Sequence, residues 1–354
     1  MEGWADILAR RVWPLLSLVL LLGVVVLLAT VAGGPMIQRT VTEALIMIVL
    51  VVGMQIFIGN SGVVSFGHIS FMAIAAYATA WQTCCPAFKA AILPGLPEFL
   101  AQNQVPSLAA VVTSVLLAGA FAFAIGLPII RLTGIGASIA MFAVLSIVNT
   151  VYSNWDSVTG GESSIIGLPT YATMPVAFLG ALVAITVAYF YKFSRFGLAL
   201  RASRDDEFAA RAAGVNVYWQ RLLAFVLSAG GVGLGGVLHA HFIGTVSIDA
   251  YWIGITFITL AMLVVGGMRS LAGAVVGVVM ISALIEVLRQ FEKGLDVGFF
   301  ELTAPPGVQE IGLAIVLLLI LIYRPSGVTR GQEFTLGGRI FSRFKSTTMA
   351  SRES

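Results

Sequence analysis

Few side chains in this sequence could bind a metal ion or carry out acid–base chemistry: three histidines, two cysteines and 17 carboxylates. His239 and His241 are two positions apart, and on a helix their side chains point about 200° from each other, so they do not share a metal ion. Cys84 and Cys85 are adjacent, and neighbouring cysteines seldom pair. The sequence has no His-Glu-x-x-His motif, nucleophile elbow or P-loop. It therefore predicts no metal site and no catalytic residue, and any ATP hydrolysis would belong to another chain.

The glycines at 231, 233 and 236 match the spacing of a dinucleotide-binding loop. They lie inside an apolar run, with no preceding strand and no acidic residue at the required distance. Small residues let neighbouring membrane helices approach closely. We therefore interpret these glycines as a packing surface.

A polar stretch rich in glycine and serine separates two apolar runs between residues 59 and 71. Irregular backbone at membrane depth is tolerated where it is buried in protein or lines a water-filled cavity. The alternative is a plain cytoplasmic turn. We favour a broken helix beside a translocation pathway and expect Ser65 and His68 to be accessible to water. The candidate pathway residues are Asn60, Gly62, Ser65, Gly67 and His68.

Two carboxylates lie near the outer ends of apolar runs, where an ion-coupled transporter would use acidic groups. Glu286 has Arg289 three residues further along the same helix face, which favours a structural ion pair over an ion-coupling site. Glu43 has no obvious local partner and could equally lie at the membrane interface. An ion-driven transporter would place carboxylates deeper, so the sequence argues modestly against that class.

The amino-acid composition predicts which kind of secondary structure positions these residues. Of 354 residues, 58% are hydrophobic and 10% are charged, and the mean hydropathy is +0.98. Soluble domains are about half apolar and about a quarter charged, so a soluble enzyme, a nucleic-acid-binding protein or a disordered chain is excluded. The continuous apolar runs lack strand alternation and predict an all-α, polytopic transmembrane helical bundle. The ten predicted spans are 12–32, 41–58, 66–82, 107–129, 133–151, 173–191, 222–241, 251–268, 271–289 and 308–323.

The distribution of positive charge predicts the orientation of this bundle. With both termini in the cytoplasm and alternating spans, 16 of the 20 Lys and Arg residues lie inside and four lie outside. This is the bias that the positive-inside rule requires. The first run follows Arg10 and Arg11 and could be a signal peptide, but its length favours a retained helix. We therefore predict a membrane domain at 1–323 and a basic cytoplasmic tail at 324–354.

The largest cytoplasmic loop, at 192–221, carries a helix signature. Acidic residues precede a run of good helix formers, and glycine follows as a stop. Ser203 or Asp205 could cap the helix. Such a short helix could insert into a groove on another protein, and the alternative is a surface helix that contacts nothing. The candidate docking residues are Asp205, Asp206, Glu207, Ala209, Ala210 and Gly214.

Five motifs in order resemble one transporter family, although any one alone would be weak. The motifs are Gly62-x-x-Ser65-x-Gly67-His68 with Phe71, Thr159-Gly160-Gly161, Glu207-x-Ala209-Ala210-x-x-x-Gly214, Gly266-Gly267-Met268-x-Ser270-x-x-Gly273 and Tyr323-Arg324-Pro325-Ser326-Gly327. With these motifs the chain resembles the M-type (LivM-like) permease of the branched-chain amino acid ABC transporter family, and its Glu207 is displaced by one residue from the general coupling-loop pattern.

The resemblance implies a membrane-spanning importer subunit in a bacterial inner membrane. A paralogous H-type permease would complete the pathway, two cytoplasmic ATPases would use ATP and Mg²⁺ and bind the 205–214 helix, and a periplasmic binding protein would deliver the solute. The chain itself would bind membrane lipid but no cofactor and no nucleic acid. Branched-chain amino acids are the expected solutes, while relatives handle urea, amides or aromatic acids. The alternative from another class is an ion-gradient-driven secondary transporter of small polar solutes.

Overall fold

The computed structural model describes residues 4–132, 134–293, 295–296, 301–302, 307–324, 327–329 and 331. The predicted tail therefore lies almost wholly outside the described residues. The described α-helices are α1 (Trp4–Ala32), α2 (Pro35–Ser61), α3 (His68–Thr83), α4 (Pro86–Ile92), α5 (Glu98–Gln102), α6 (Ser107–Ile129), α7 (Ile135–Ser153), α8 (Asp156–Thr159), α9 (Met174–Phe193), α10 (Arg195–Asp205), α11 (Glu207–Ala212), α12 (Val217–Ile243), α13 (Ile253–Gly266), α14 (Leu271–Lys293) and α15 (Val308–Tyr323). A 3-10 helix covers Ile248–Tyr251, and the short strands are β1 (Ile165–Ile166), β2 (Thr245–Val246), β3 (Leu295–Asp296) and β4 (Glu301–Leu302).

The described helices confirm the prediction of a polytopic helical membrane protein. Eight helical segments are long and apolar enough to cross a bilayer, by length and composition: those of α1, α2, α6, α7, α9, α12 and α14, and α13 with the 3-10 helix before it. Helices α3 and α15 have 16 residues each, which corresponds to about 24 Å, less than a bilayer core of about 30 Å. The count of ten spans and the cytoplasmic position of both termini stay predictions.

Helices α2 and α12 form the centre of the bundle. Helix α12 packs against α2, α3 and α6, while α2 also contacts α9. The backbones of α2 and α12 touch at Gly53 and Gly231, where an added Cβ on either residue would meet the other helix's backbone at 2.8–2.9 Å. Gly236 packs in the same way against the backbone of Met72 in α3. The glycines that resemble a nucleotide motif are therefore a packing surface, as the sequence predicted.

Contacts between distant segments join residues that the orientation prediction places on the same side. On the predicted inner side, Lys192 Nζ donates to the Arg269 carbonyl at 3.4 Å and the Val328 N–H donates to Val265 at 2.8 Å. On the predicted outer side, β1 pairs antiparallel with β2, with Ile165 opposite Val246. The structure is thus consistent with alternating spans from α6 to α14.

The predicted outer loop at 83–106 folds around one lysine. The Lys89 side chain is fully buried, and its ammonium donates to the carbonyl oxygens of Trp81 at 3.1 Å, Asn103 at 2.8 Å and Leu100. Cys84 is buried, Cys85 is exposed, and both are free thiols. A cation shared by three carbonyls therefore holds together α4, α5 and the end of α3.

Candidate functional site

The loop between α9 and α12, which the orientation prediction places in the cytoplasm, contains two short helices where the sequence predicted one. Ser194 caps α10 by accepting from the Gly197 N–H at 3.2 Å. Asp206 adopts an extended conformation, ends α10, and caps α11 by accepting from the Ala209 N–H at 3.0 Å. The predicted caps were wrong, because Ser203 is buried inside α10 and its hydroxyl donates to the Leu200 carbonyl, and Asp205 is the last residue of that helix.

Helix α11 presents an apolar, small-residue surface that is open in this chain. The Phe208 side chain is 88% exposed, which is unusual for a large apolar residue outside the apolar spans. We define the α11 face as Phe208 with the exposed residues Ala209, Ala212, Ala213 and Gly214. Ala210 does not belong to this face, because it is 5% exposed and its carbonyl accepts the Val215 N–H at 3.0 Å. A charge at Ala210 would therefore disturb the loop's own packing as well as any docking.

Glu207 ties the α11 face to the start of α12. Its carboxylate accepts hydrogen bonds from Arg211 at 2.6 Å and from Arg221 at 2.8 Å. Burial alone would raise the pKa of Glu207, but the hydrogen bonds and positive charges of Arg211 and Arg221 outweigh burial and hold that pKa below its ordinary value. Glu207 is therefore ionised near neutral pH, and it fixes α11 to a long membrane helix instead of facing a partner.

Gly214 closes the loop in a left-handed conformation, with φ of +82°. Its N–H donates to the Arg211 carbonyl at 3.0 Å, so the predicted stop after α11 is at the expected residue. Nothing lies within 4 Å of where a Cβ would stand. A side chain placed here would point outward from the α11 face.

The polar stretch after α2 is a non-helical segment of six residues, 62–67, at the predicted inner end of the bundle, in which Ser65 and Gly67 are buried and Gly62 is exposed. Gly62 ends α2 with φ of +75° and donates to the Ile58 carbonyl at 2.9 Å. Further along, the Val64 carbonyl accepts from Ser138 at 2.6 Å, and Gly67 packs against the backbone of Met141. The segment therefore runs beside the first two turns of α7, and its second half is packed against protein.

Most of the candidate pathway residues are sealed in this conformation. Ser65 and His68 have no exposed surface, and the Ser65 hydroxyl lies 2.7 Å from Nδ1 of His68. The His68 ring packs among Phe57, Phe71 and Phe225. Asn60 is 1% exposed and its amide donates to the Ile56 carbonyl at 2.9 Å, Gly67 is buried, and only Gly62 is exposed. Their assignment to a pathway stays a prediction.

Arg204 connects the cytoplasmic loop to this segment. Its guanidinium donates to the Gly59 carbonyl at 2.8 Å, and a Cβ on Gly62 would meet the Arg204 side chain at 2.8 Å. Arg204 also pairs with Asp205 at 3.1 Å. Sequence reasoning did not single out Arg204, and only its position directly before Asp205, Asp206 and Glu207 could have suggested a role. The structure thus brings the α10–α11 loop and the end of α2 into direct contact.

The two neighbouring histidines are far from this loop and do not form a metal site. His241 is fully buried, hydrogen-bonded to Thr79 at 2.9 Å and to the Pro169 carbonyl at 2.8 Å. His239 is 7% exposed and faces Tyr251. Both are enclosed by protein near the C-terminal end of α12. Within the described part of the chain, no three His, Cys, Asp or Glu side chains cluster to hold a metal ion.

Comparisons with known proteins agree with this architecture. The family described as "Branched-chain amino acid transport system / permease component" matches residues 36–323. The chain is 24% identical over 352 residues to the high-affinity branched-chain amino acid transport system permease protein LivM of Escherichia coli (strain K12), a match that covers 86% of this chain and 73% of that protein.

Two further relatives extend the similarity. The probable branched-chain amino acid transport permease protein LivM of Methanocaldococcus jannaschii is 23% identical over 250 residues, which is 65% of this chain and 71% of that protein. The permease protein LivH of Escherichia coli (strain K12) is 28% identical over 158 residues, 43% of this chain and 44% of its own length. No solved structure matches the chain.

Proposed function

Because the chain belongs to the branched-chain amino acid transport permease family, we propose that it is the membrane-spanning subunit of an ABC importer for branched-chain or related amino acids. It is a multi-pass membrane protein and a permease component, not an enzyme. Hydrolysis of ATP with Mg²⁺ takes place in a partner ATPase, and this chain binds no nucleotide. A bacterial inner membrane is the proposed location.

The α11 face is the proposed ATPase-docking surface. An aromatic side chain that is 88% exposed beside small residues suits insertion into an apolar groove, where aromatic anchors contribute most of the binding energy. Glu207 and its two arginines hold the face rigidly on α12. This single observation, an apolar anchor on a braced cytoplasmic helix, carries the proposal.

Arg204 is the proposed mechanical link from that surface to the pathway. A displacement of α10 would pull on the Gly59 carbonyl and on Gly62, which are the last turn of α2. The segment 62–67 follows directly and encloses Ser65 and His68. ATP-driven movement of the loop would thus open or close the cytoplasmic end between two discrete arrangements.

The proposed assembly contains a paralogous H-type permease, two ATPases and a periplasmic binding protein. Similarity to proteins named LivM and LivH supports a pair of related permeases. The binding protein would dock on the outer loops, where β1 pairs with β2. The binding protein would determine much of the substrate specificity. Branched-chain amino acids are the proposed class of solute, as the family description indicates.

Replacing Phe208 with Asp tests the docking surface. We expect the ATPase to be lost from the purified assembly and uptake in vesicles to fall by about tenfold or more. The reason is that a charge would replace an aromatic side chain that docking is proposed to bury against the ATPase. Phe208→Met keeps an apolar side chain and should retain the ATPase. The measurements are ATPase recovered per permease and solute uptake.

Phe99→Asp is the matched control, because Phe99 is also exposed, at 69%, on the short helix α5 of the predicted outer loop. It should leave ATPase recovery unchanged. Normal ATPase recovery with Phe208→Asp would contradict the docking surface. Uptake by the purified chain in vesicles, driven by an ion gradient without ATP, would contradict the importer itself.

A further inference from the structure

A cavity of about 320 Å³ at the predicted outer end of the bundle is lined by one face each of α2, α13 and α14 and by His239 of α12. From α2 the lining residues recur at Thr40, Glu43 and Met47, and from α14 at Ser282, Glu286 and Arg289, with the spacing of one helix face. Helix α13 adds Ile255, Ile258 and Met262. The volume is at the low end of the range of about 300–1,000 Å³ for small-molecule sites, which fits a small solute.

The polar and apolar residues of this cavity are separated along its depth. Helix α2 begins and α14 ends on the predicted outer side, so Glu43, Glu286 and Arg289 lie toward the mouth. Met47, Ile258 and Met262 lie about one to two turns further in. The cavity therefore has charged groups at its entrance and aliphatic side chains in its interior.

The charges at the mouth are only partly satisfied within the chain. Glu286 is ion-paired with Arg289 and accepts from the Thr40 hydroxyl at 3.2 Å. Nε of Arg289 is nevertheless buried without a hydrogen-bond partner among the described residues. The Glu43 carboxylate has neither a hydrogen-bond nor an ion-pair partner in the described part of the chain. An orphaned buried donor is costly unless a ligand or water completes it.

We propose that this cavity is a binding subsite for the zwitterion of an amino acid with an aliphatic side chain. The Glu43 carboxylate accepts the solute's ammonium group, and Arg289 donates to its carboxylate. The side chain of the solute lies against Met47, Ile258 and Met262. The assignment rests on the proposed function and locates one recognition site within it.

Charge arrangement separates this solute class from the other candidates. A neutral amide or urea would leave Glu43 without a charged partner, and removing water from an unpaired charge costs free energy. A single cation could bind Glu43 but would not accept from the unpartnered Nε of Arg289. A solute with both charges and an apolar body complements Glu43, the Nε of Arg289 and the aliphatic lining together.

Competition binding tests the subsite on the purified assembly in nanodiscs, without the binding protein. The probes are radiolabelled leucine, leucinamide, which lacks the carboxylate, and 4-methylpentanoate, which lacks the ammonium. We expect Glu43→Gln to lower the affinity for leucine, relative to the affinity for 4-methylpentanoate, by about tenfold. This is the effect of one charge-assisted hydrogen bond. The same variant should keep leucine's advantage over leucinamide.

The double variant Glu286→Gln with Arg289→Gln removes both members of the ion pair and leaves no uncompensated charge. This variant should show the opposite pattern. Its affinity for leucine should fall relative to leucinamide and stay unchanged relative to 4-methylpentanoate. Glu98→Gln, which removes an exposed carboxylate from α5, is the matched control and should behave as the unmodified chain.

Two outcomes would overturn the subsite: an unchanged competition profile in Glu43→Gln, or no leucine binding by the unmodified assembly. Both leave the proposed function standing if the same preparation contains the ATPase and takes up leucine when the binding protein is added. Failure of the proposed function would appear separately, as an assembly that never contains an ATPase.

Discussion

The two ends of α2 are built in opposite ways. At its predicted inner end, Asn60 bonds within its own helix, Gly62 closes the last turn, and Arg204 satisfies the Gly59 carbonyl. At its outer end, Glu43 has no partner among the described residues and faces a cavity beside the incompletely satisfied Arg289. The polar groups of the last turn of α2 therefore have partners within the protein, whereas Glu43 and the Nε of Arg289 have capacity for a further hydrogen bond.

This difference corresponds to two tasks. An element that transmits movement must keep fixed contacts, since loose contacts would absorb the displacement. A binding site needs unfilled hydrogen-bonding capacity, since a group already satisfied gains little from a ligand. We therefore expect changes at the inner end to alter coupling to ATP and changes at the outer end to alter the affinity for solute.

The largest effect is expected from Gly214→Arg, at the margin of the α11 face. A large cation would project from a position that is open in this chain, and φ of +82° adds strain of about 1 kcal/mol for a residue with a Cβ. Uptake should be abolished while the amount of protein in the membrane is unchanged. Gly214→Asn is the control, because Asn tolerates this conformation and is small. Normal uptake by Gly214→Arg would remove the docking assignment.

Arg204→Ala should uncouple the two ends by leaving the Gly59 carbonyl without its donor. We expect uptake to fall by about tenfold, as for one buried orphaned acceptor, while the ATPase still co-purifies and hydrolyses ATP. Arg195→Ala is the matched control, because Arg195 is exposed on the same helix and lies over its neighbour Phe196. An unchanged ratio of solute moved to ATP hydrolysed would break the distinction between the ends.

Thiol labelling compares how accessible the two ends of α2 are to water. A cysteine at Glu43 should react in every nucleotide state, because that position is exposed. A cysteine at Ser65 or His68 should react only in states in which the inner end has opened, because both positions have no exposed surface here. Complete protection of Ser65 and His68 in all states would remove them from the pathway.

The smallest effect is expected from the ion pairs of Glu207 with Arg211 and Arg221, which brace the α11 face. Because the pKa of Glu207 is lowered in the folded protein, its ion pairs stabilise the loop above the ordinary glutamate pKa and lose that effect as the pH falls through the lowered value. The pairs are partly exposed, so the contribution is about 1 kcal/mol or less. Protection of the Ala213 and Val215 amides from exchange, measured relative to their intrinsic exchange rates at each pH, should fall in acid. Glu207→Gln should lower this protection at neutral pH and remove its acid dependence. Exchange that matches the unmodified chain at every pH would contradict the brace.

The apolar runs predicted most of the fold because each membrane helix must satisfy its own backbone. The predicted spans 107–129 and 308–323 coincide with α6 and α15. Helix α2 begins earlier than predicted, at Pro35, because Gln38, Arg39 and Thr40 are polar yet continue the helix at the outer end. Gln38 and Thr40 are half-buried and Arg39 is exposed, so no apolar pattern marks this turn and hydropathy could not define the boundary.

The candidate sites were only partly predictable. Gly214 and the helix before it follow from local rules of helix formation, but Arg204 acquires its role from Gly59, which is distant along the chain. Helix α10 is short and carries its apolar residues on one face, so it gave no span signal. The outer cavity combines Glu43 with residues more than 200 positions later, and no local pattern predicts which faces of α2, α13 and α14 meet.

The buried lysine of the predicted outer loop determines how that loop is held together. The ammonium of Lys89 donates hydrogen bonds to the carbonyls of Trp81, Leu100 and Asn103, while Cys84 and Cys85 are free thiols. The loop is thus held by hydrogen bonds and not by a disulfide. The shape of the loop therefore does not depend on a disulfide and should be the same in a reducing or an oxidising medium.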